Sequence, residues 1–302
     1  MHDVIIIGGS YAGLSAALQL GRARRSVLIL DAGQRRNRFA TSSHGFLGQD
    51  GQSPETIAAK GRAEVLAYPT VSWREAAATG VRAVADGFVV RAGDDEHRAK
   101  RLILATGVSD DLPPLPGLDE RWGKTVFHCP YCHGYELDKG RIGVLATMPM
   151  SLHQAMLVAE WAGTGEMTFF LNGVFEPEDH ELRELSTRGI RVEPDLVVAA
   201  EGEAPKIALR LKSGRSHELD GLFVASRTVM KNPFAEQLGC ELETGPLGAF
   251  YKTDMMKETT VPGVFACGDV ARGAGSLALA VADGCLAGVS AHRSLVFPRE
   301  AA

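Results

Sequence analysis

Two cysteines, Cys129 and Cys132, stand two residues apart in the run Phe127-His128-Cys129-Pro130-Tyr131-Cys132-His133-Gly134. That spacing lets the two thiols close into a small disulfide and open again, a two-electron change. An adjacent imidazole can stabilise a thiolate or take its proton. Clustered Cys and His also raise the question of a metal. Four ligands crowded into the six residues His128 to His133 cannot readily wrap a tetrahedral ion, and no second pair with such spacing occurs in the chain. Zinc sites normally draw on two separated pairs, so no metal is expected. Cys240, Cys267 and Cys285 lie in apolar contexts, where Cys behaves as a small hydrophobe.

The chain that must position this pair has 302 residues, 45% of them hydrophobic, enough for two α/β domains with full cores. A net charge of -5 argues against a nucleic-acid binder. The apolar run Val4 to Ile7 is too short for a signal peptide and directly follows Asp3. No stretch approaches the length of a membrane span, and a cytoplasmic protein is expected. Five cysteines, an odd and sparse number, make a disulfide framework unexpected, and in a reducing compartment a close pair reads as catalytic or metal-binding.

Asp3 to Ile7 reads as a buried strand running into Gly8-Gly9-Ser10-Tyr11-Ala12-Gly13 and then a helix from about Leu14 to Gly21. A second apolar strand, Ser26 to Leu30, ends at Asp31. This is a β-α-β unit on a parallel sheet. Phe88 to Val90 and Arg98 to Arg101 suggest antiparallel strands, and Leu102 to Ala105 a further strand ending at Thr106-Gly107. The Pro-rich stretch Leu112 to Gly117 reads as an interdomain crossing, because Pro stiffens a connector and cannot join a sheet interior. A second β-α-β pattern follows the cysteines: strand Arg141 to Ala146, helix Leu152 to Trp161, strand Met167 to Leu171. Gly221 to Ala225 is another strand, Gly263 to Asp269 a short one closing in Gly-Asp, and Ser276 to Ser294 an Ala-rich helix. The fold class expected is α/β with two Rossmann-like domains, the second inserted in the first. The segments are 1–113, 114–237 and 238–302.

The first Gly loop lies between strand and helix, where it carries weight as a dinucleotide site. Gly8 permits the tight turn and Gly13 close helix–strand packing, while Ser10 stands where a middle Gly is usual. The helix start would face phosphates, and Asp31 can accept from ribose hydroxyls.

With Ala105-Thr106-Gly107 and Gly268-Asp269 closing two further strands, and the cysteine pair opening an inserted domain, the chain resembles the low-molecular-weight thioredoxin reductase family over essentially its whole length. The resemblance implies an FAD enzyme and a homodimer. It implies that Gly8, Ser10, Gly13 and Asp31 hold the ADP half of FAD, that Thr106 and Gly107 lie alongside it, and that Asp269, next to Gly268, bonds the ribityl chain. The helix start near Ser276 and Leu277 would point its positive end at the flavin. Of the pair, Cys132 would face the flavin and Cys129 would exchange with substrate. His44 to Gly51 lies where this family lines the flavin, although by composition it is also an ordinary Gly-rich loop.

Two departures from the family are informative. The residue after the second cysteine is usually Asp in thioredoxin reductases and here is His133, a base that favours thiolate formation. The Cys-Pro-Tyr-Cys-His-Gly-Tyr-Glu cluster resembles a side branch of the family, the flavin dithiol oxidases that close disulfides in small sulfur-containing natural products. His128 and Glu136 could assist, or be an ordinary surface His and a solvated Glu. Second, where a Gly-x-Gly-x-x-Ala loop should follow Ile142 to Leu145, the chain reads Ala146-Thr147-Met148-Pro149-Met150-Ser151. The run Phe169 to Phe175 has no Arg or Lys for the extra phosphate of NADPH. NADPH binding is expected to be weak or absent.

The expected function is therefore an FAD-dependent thiol–disulfide oxidoreductase working through Cys129 and Cys132 with His133 as base. The expected direction is thiol oxidation, independent of NADPH. Its partner would be a dithiol or disulfide, either a small molecule or a thioredoxin-like protein. Two alternatives stand beside it: a thioredoxin reductase supplied by NADPH or a protein donor such as ferredoxin, and a flavin redox sensor without turnover.

Overall fold

A computed structural model describes residues 1–174 and 176–298; Phe175, named above in the cation-free run, lies outside the described residues. The chain builds two parallel sheets and several smaller antiparallel ones. The larger sheet has seven strands. Its parallel part runs Val71–Glu75, Val27–Asp31, His2–Ile7, Asp95–Leu104, with Val264–Ala266 beside the end of the last. Gly87–Ala92 and Ala78–Val84 continue it antiparallel. The strand Asp95–Leu104 serves both parts: its first half pairs antiparallel with Gly87–Ala92 and its second half parallel with His2–Ile7.

The first strand is apolar at every position from Val4 to Ile7 because both faces are covered. Val4 and Ile6 pack with the helix Tyr11–Arg22 and with Ala287 and Ala291 of the long helix Leu277–Val296. Ile5 and Ile7 face Phe88, Val90, Phe234 and Tyr251. The two helices approach so closely that a Cβ on Gly284 would sit 2.0 Å from the Ala12 carbonyl oxygen, and one on Gly288 2.5 Å from that of Ala16.

The second sheet is wholly parallel, in the order Arg191–Glu193, Met167–Phe170, Ile142–Leu145, Gly221–Val224, Val126–Phe127. Ile142 and Val144 pack on Ala155 and Val158 of the helix Ser151–Val158. Leu145, on the other face, meets Leu209 and Leu211 of a three-stranded antiparallel sheet, Val197–Glu201, Ile207–Leu211 and Ser216–Leu219. Both sheets are Rossmann-like, and the second is inserted in the chain of the first. The chain leaves the larger sheet through Ser109–Asp111 and returns through Arg227–Val229, and these two crossings pair antiparallel with each other. The outward crossing thus lies just before the Pro-rich stretch. Among the described residues no helix is long and apolar enough to cross a membrane.

The Gly284 contact makes a test of packing against propensity. Ala for Gly inside a helix normally stabilises by about 0.5–1 kcal/mol. Here the added methyl meets backbone, and overpacking costs about 1–3 kcal/mol. Gly284→Ala is expected to lower the thermal midpoint by several degrees; a raised midpoint would show that the helices can part without cost.

Candidate active site

The first strand, Asp95–Leu104 and Val264–Ala266 all end at one edge of the larger sheet, with Ile7, Ala266 and Leu104 in register. Ligands of open α/β sheets sit beyond such carboxyl edges. Ser10, Thr106, Gly107, Gly268, Asp269, Ser276 and Leu277 line a cleft there that holds about 1460 Å³ of empty space open to solvent. The opposite wall carries His128, Cys129, Cys132 and His133, which follow the strand Val126–Phe127 of the second sheet. The structure therefore brings ten of the thirteen expected site residues, and His128 with them, to one cleft. Gly8, Gly13 and Asp31 stand behind its wall. Gly8 has φ +105°, and a Cβ there would lie 2.2 Å from the Ala105 oxygen; Gly13 passes so close that its Cβ would meet the Gly8 oxygen at 1.8 Å. The Asp31 carboxylate accepts from the Gly9 N–H at 3.0 Å, tying the second strand to the loop.

Two helix starts face this cleft. Tyr11–Arg22 begins at Ser10 without a side-chain cap and has no acid in its first turn. Leu277–Val296 likewise has no acid there, and its Ser276 hydroxyl accepts from the Leu279 N–H. Such ends favour negative charge. Sequence reasoning passed over the residues 34–37. Arg35, Arg36 and Asn37 all reach the wall, as does Ser43. Their signal was a polar, basic run directly after Asp31, which has no periodicity and no fixed motif. Arg35 Nε and Ser43 Oγ are buried without a hydrogen-bond partner in the protein.

Cys129 and Cys132 are joined in a disulfide with Cα atoms 5.4 Å apart. Pro130 opens the short helix Pro130–His133, where its missing N–H costs nothing. The His133 ring stacks on Phe127 with centroids 4.4 Å apart. Burial, with a smaller contribution from nearby His44, pushes the His133 imidazole down to about 4. It is therefore neutral at physiological pH, with a nitrogen free to accept a proton but a weaker base than a free imidazole. His44, from the loop of the larger sheet's domain, lines the same cleft. Its Nε2 stands 3.4 Å from Glu136 and its Nδ1 3.6 Å from Asp50. Glu136 is exposed, as a solvated Glu would be, whereas His128 is half-buried in the wall of the cleft. Its Nδ1 lies 3.3 Å from the buried Ser226 hydroxyl, and burial lowers its pKa. Cys240 and Cys267 are buried and Cys285 half-buried; burial pushes Cys240 up and Cys267 up to about 12, which leaves them inert.

At the second sheet the strand–helix turn is closed on itself. The buried Ser151 hydroxyl accepts from the Thr147 N–H at 3.1 Å and the Met148 N–H at 3.4 Å. Thr147 Oγ1 donates to the Ala225 oxygen at 2.6 Å, and Met148 is buried. Leu171–Val174 beside it carry no cation.

The family described as pyridine nucleotide-disulphide oxidoreductase matches residues 2–158 and 168–284. The chain is 32% identical to the thioredoxin reductase sirT of Leptosphaeria maculans, over 95% of this chain and 92% of that protein. It is 32% identical to the thioredoxin reductase tcpT of Claviceps purpurea, over 97% and 94%. A crystal structure of an oxidoreductase from Agrobacterium tumefaciens superimposes with a TM-score of 0.94 at 52% identity, covering 99% of both chains. This chain belongs to the pyridine nucleotide-disulphide oxidoreductase family and, within it, to the thioredoxin reductase-like flavoproteins. It is an FAD-dependent disulfide oxidoreductase. The residues present fit that cofactor: two acid-free helix starts, a close-packed glycine turn and the partnerless Arg35 Nε share one open cleft.

Because His133 titrates lower in the fold than free, falling pH protonates the unfolded chain first. From about pH 6.5 down to about 4 its contribution to stability is progressively lost, by as much as about 3 kcal/mol. His133→Asn is expected to flatten the dependence of melting temperature on pH across that window and leave it unchanged above pH 7; parallel curves for the two proteins would show that the ring is not held neutral.

Proposed function

We propose that the enzyme runs in the thiol-oxidising direction without NADPH, as a dithiol oxidase with Cys129, Cys132 and His133 as its catalytic residues. The observation that carries this reading is the turn at the second sheet. A nicotinamide dinucleotide needs free N–H groups there for its pyrophosphate, and Ser151 accepts from two of them. Met148 occupies the adjoining space and no lysine or arginine follows in Leu171–Val174. The segments 1–113 and 238–302 would bind FAD, and 114–237 would carry the disulfide.

In the first step a substrate thiol gives its proton to neutral His133 and attacks Cys129 Sγ. A mixed disulfide forms and Cys132 leaves as thiolate. The second substrate thiol then attacks the substrate sulfur of that bond, releasing an oxidised substrate and the Cys129 thiolate. Two electrons and two protons leave the substrate: the electrons stay on the two enzyme sulfurs, one proton stays on His133, and the second passes from the second substrate thiol to the Cys132 thiolate. Ser10, Gly8, Gly13, Asp31, Thr106, Gly107, Gly268, Asp269 and the helix start at Ser276–Leu277 would hold FAD, which would supply the two-electron acceptor that restores the disulfide. The strand Val126–Phe127, which precedes the pair at the cleft, would set how near Cys132 comes to that acceptor. The resemblance to flavin dithiol oxidases supports a small dithiol substrate, and the family supports a homodimer. Sparse cysteines and the expected reducing compartment support a cytoplasmic site.

The test is anaerobic stopped-flow absorbance with dithiothreitol and NADPH in parallel. Dithiothreitol is expected to bleach the flavin quickly and NADPH to leave it yellow, with peroxide appearing when air is admitted. Rapid bleaching by NADPH would overturn the reading in favour of a reductase.

Two variants follow from the same scheme. Cys132→Ser is expected to retain FAD yet lose dithiol-driven bleaching. His133→Asn should slow it by about 10²–10⁴-fold, with the remaining rate rising with pH as the substrate thiol ionises. Near-normal bleaching by Cys132→Ser would move the electron path elsewhere.

A further inference from the structure

The two halves of the cleft belong to different sheets, and something must hold the disulfide wall against the cofactor wall. The crossings that join them are short: Ser109–Asp111 and Arg227–Val229, paired through three residues each. At their centre, opposite Thr228, lies Asp110. Its side chain is 8% exposed and meets Arg36 through two hydrogen bonds, Nε to Oδ2 at 2.9 Å and Nη2 to Oδ1 at 2.6 Å. The third arm of the fork, Arg36 Nη1, reaches Asp269 Oδ2 at 2.9 Å. On its other side Asp110 Oδ1 accepts from the buried Ser226 hydroxyl at 2.7 Å, and Ser226 Oγ lies 3.3 Å from His128 Nδ1, one residue before Cys129. The backbone of His128 is held as well, its carbonyl accepting from Gln154 Nε2 at 2.9 Å.

We infer that Asp269, Arg36, Asp110, Ser226 and His128 form a polar latch across the crossing ribbon that positions the disulfide segment over the cofactor cleft and holds the two sheets in one relative orientation. The inference deepens the proposed function and rests on it, since an enzyme that admits no nicotinamide gains from a single fixed arrangement.

The physical case is one of geometry. A flexible two-strand ribbon leaves torsion between the sheets unspecified. A forked guanidinium specifies it, because the planar Arg36 side chain satisfies Asp110 and Asp269 together only when they stand at one distance and angle. The pair is little exposed, so screening by water and salt is weak. Burial pushes the Asp110 carboxyl up, but the Arg36 fork and the Ser226 hydroxyl outweigh it and hold the group below its ordinary range. The pair is thus ionised at neutral pH. Buried ion pairs add little net stability, and their best-attested role is to select one arrangement among several. Arg36, Asp110 and Ser226 are positioning residues here, acting on the sulfurs through His128.

Purified FAD-loaded Asp110→Ala is compared with the wild type by small-angle X-ray scattering and by anaerobic bleaching with dithiothreitol. Bound FAD and the far-UV spectrum serve as controls for folding. The latch predicts a scattering profile that fits only a mixture of sheet orientations. It also predicts bleaching slowed about tenfold to a hundredfold, while alkylation of the reduced thiols keeps its wild-type rate. A variant profile superimposable on the wild type overturns the latch whatever the rate. A changed profile with an unchanged bleaching rate overturns the positioning role. If Asp110→Ala does not fold, the near-isosteric Asp110→Asn is measured instead with the same expectations; if neither folds, the pair is structural and the inference falls. Failure of the proposed direction is separate: it appears as a wild type that NADPH bleaches rapidly or that dithiothreitol cannot bleach, and the scattering comparison still decides the latch.

Discussion

Electron exchange between a sulfur pair and a cofactor works only at contact distance, so the arrangement that matters is the meeting of two sheet edges across one cleft. One edge supplies the glycine turn after Ile7, Thr106-Gly107 and Gly268-Asp269; the other supplies the disulfide after Phe127. Each edge is rigid because the strands behind it are covered on both faces. On the larger sheet the helices Tyr11–Arg22 and Leu277–Val296 cross with almost no side chain between them at Gly284 and Gly288. That approach also fixes where both helix starts point. Because a positive helix end acts over about one turn, a shift of the long helix would spoil the cleft before it unfolded the domain.

Family fold and nucleotide recognition rest on different atoms of the second sheet. The second sheet is held by Ile142, Val144 and Leu145 packing on a helix and on the antiparallel sheet. None of that requires a glycine turn. Replacing the turn by Thr147-Met148-Pro149-Met150-Ser151 leaves the core intact and redirects two N–H groups from solvent to the Ser151 hydroxyl. Unpaired amides at a helix start would otherwise demand a partner. The fold is thus compatible with gain or loss of a nucleotide site, which is why the strand–helix pattern is silent on it and the residues of the turn carry the information.

Much of the architecture was legible because its strands are buried on both faces and read as unbroken apolar runs: Val4 to Ile7, Ile142 to Leu145 and Gly221 to Val224. Asp95–Leu104 was read as two pieces because half of it is partly exposed and alternates, and half is fully buried. The helix Pro54–Leu66 and the edge strands Val71–Glu75 and Ala78–Val84 carry mixed polarity and left no clear period. In the site, Cys129, Cys132, Ser10, Thr106, Gly107 and Asp269 were found from local motifs. Arg36 and Asp110 were not, since their meaning arises from a contact between residues 74 positions apart. Ser226 likewise looks like an ordinary strand-end serine until the fold sets it between Asp110 and His128.

The exchange of an acid for an imidazole after the second cysteine reverses which protonation state burial favours there. Removal from water penalises whichever form is charged. A carboxyl in a buried place is pushed up and tends to hold its proton, ready to give it to a departing thiolate. An imidazole in the same place is pushed down, as His133 is, to about 4, and stands without a proton. The first suits an enzyme that hands electrons and protons out to a disulfide. The second leaves a nitrogen free to accept a proton from an incoming thiol, whose thiolate is the attacking species, but as a weaker base than a free imidazole. Burial against Phe127, not the identity of the side chain alone, therefore decides which protonation state the sulfurs meet: on an exposed loop the same ring would titrate near neutrality, where it could both give and take a proton.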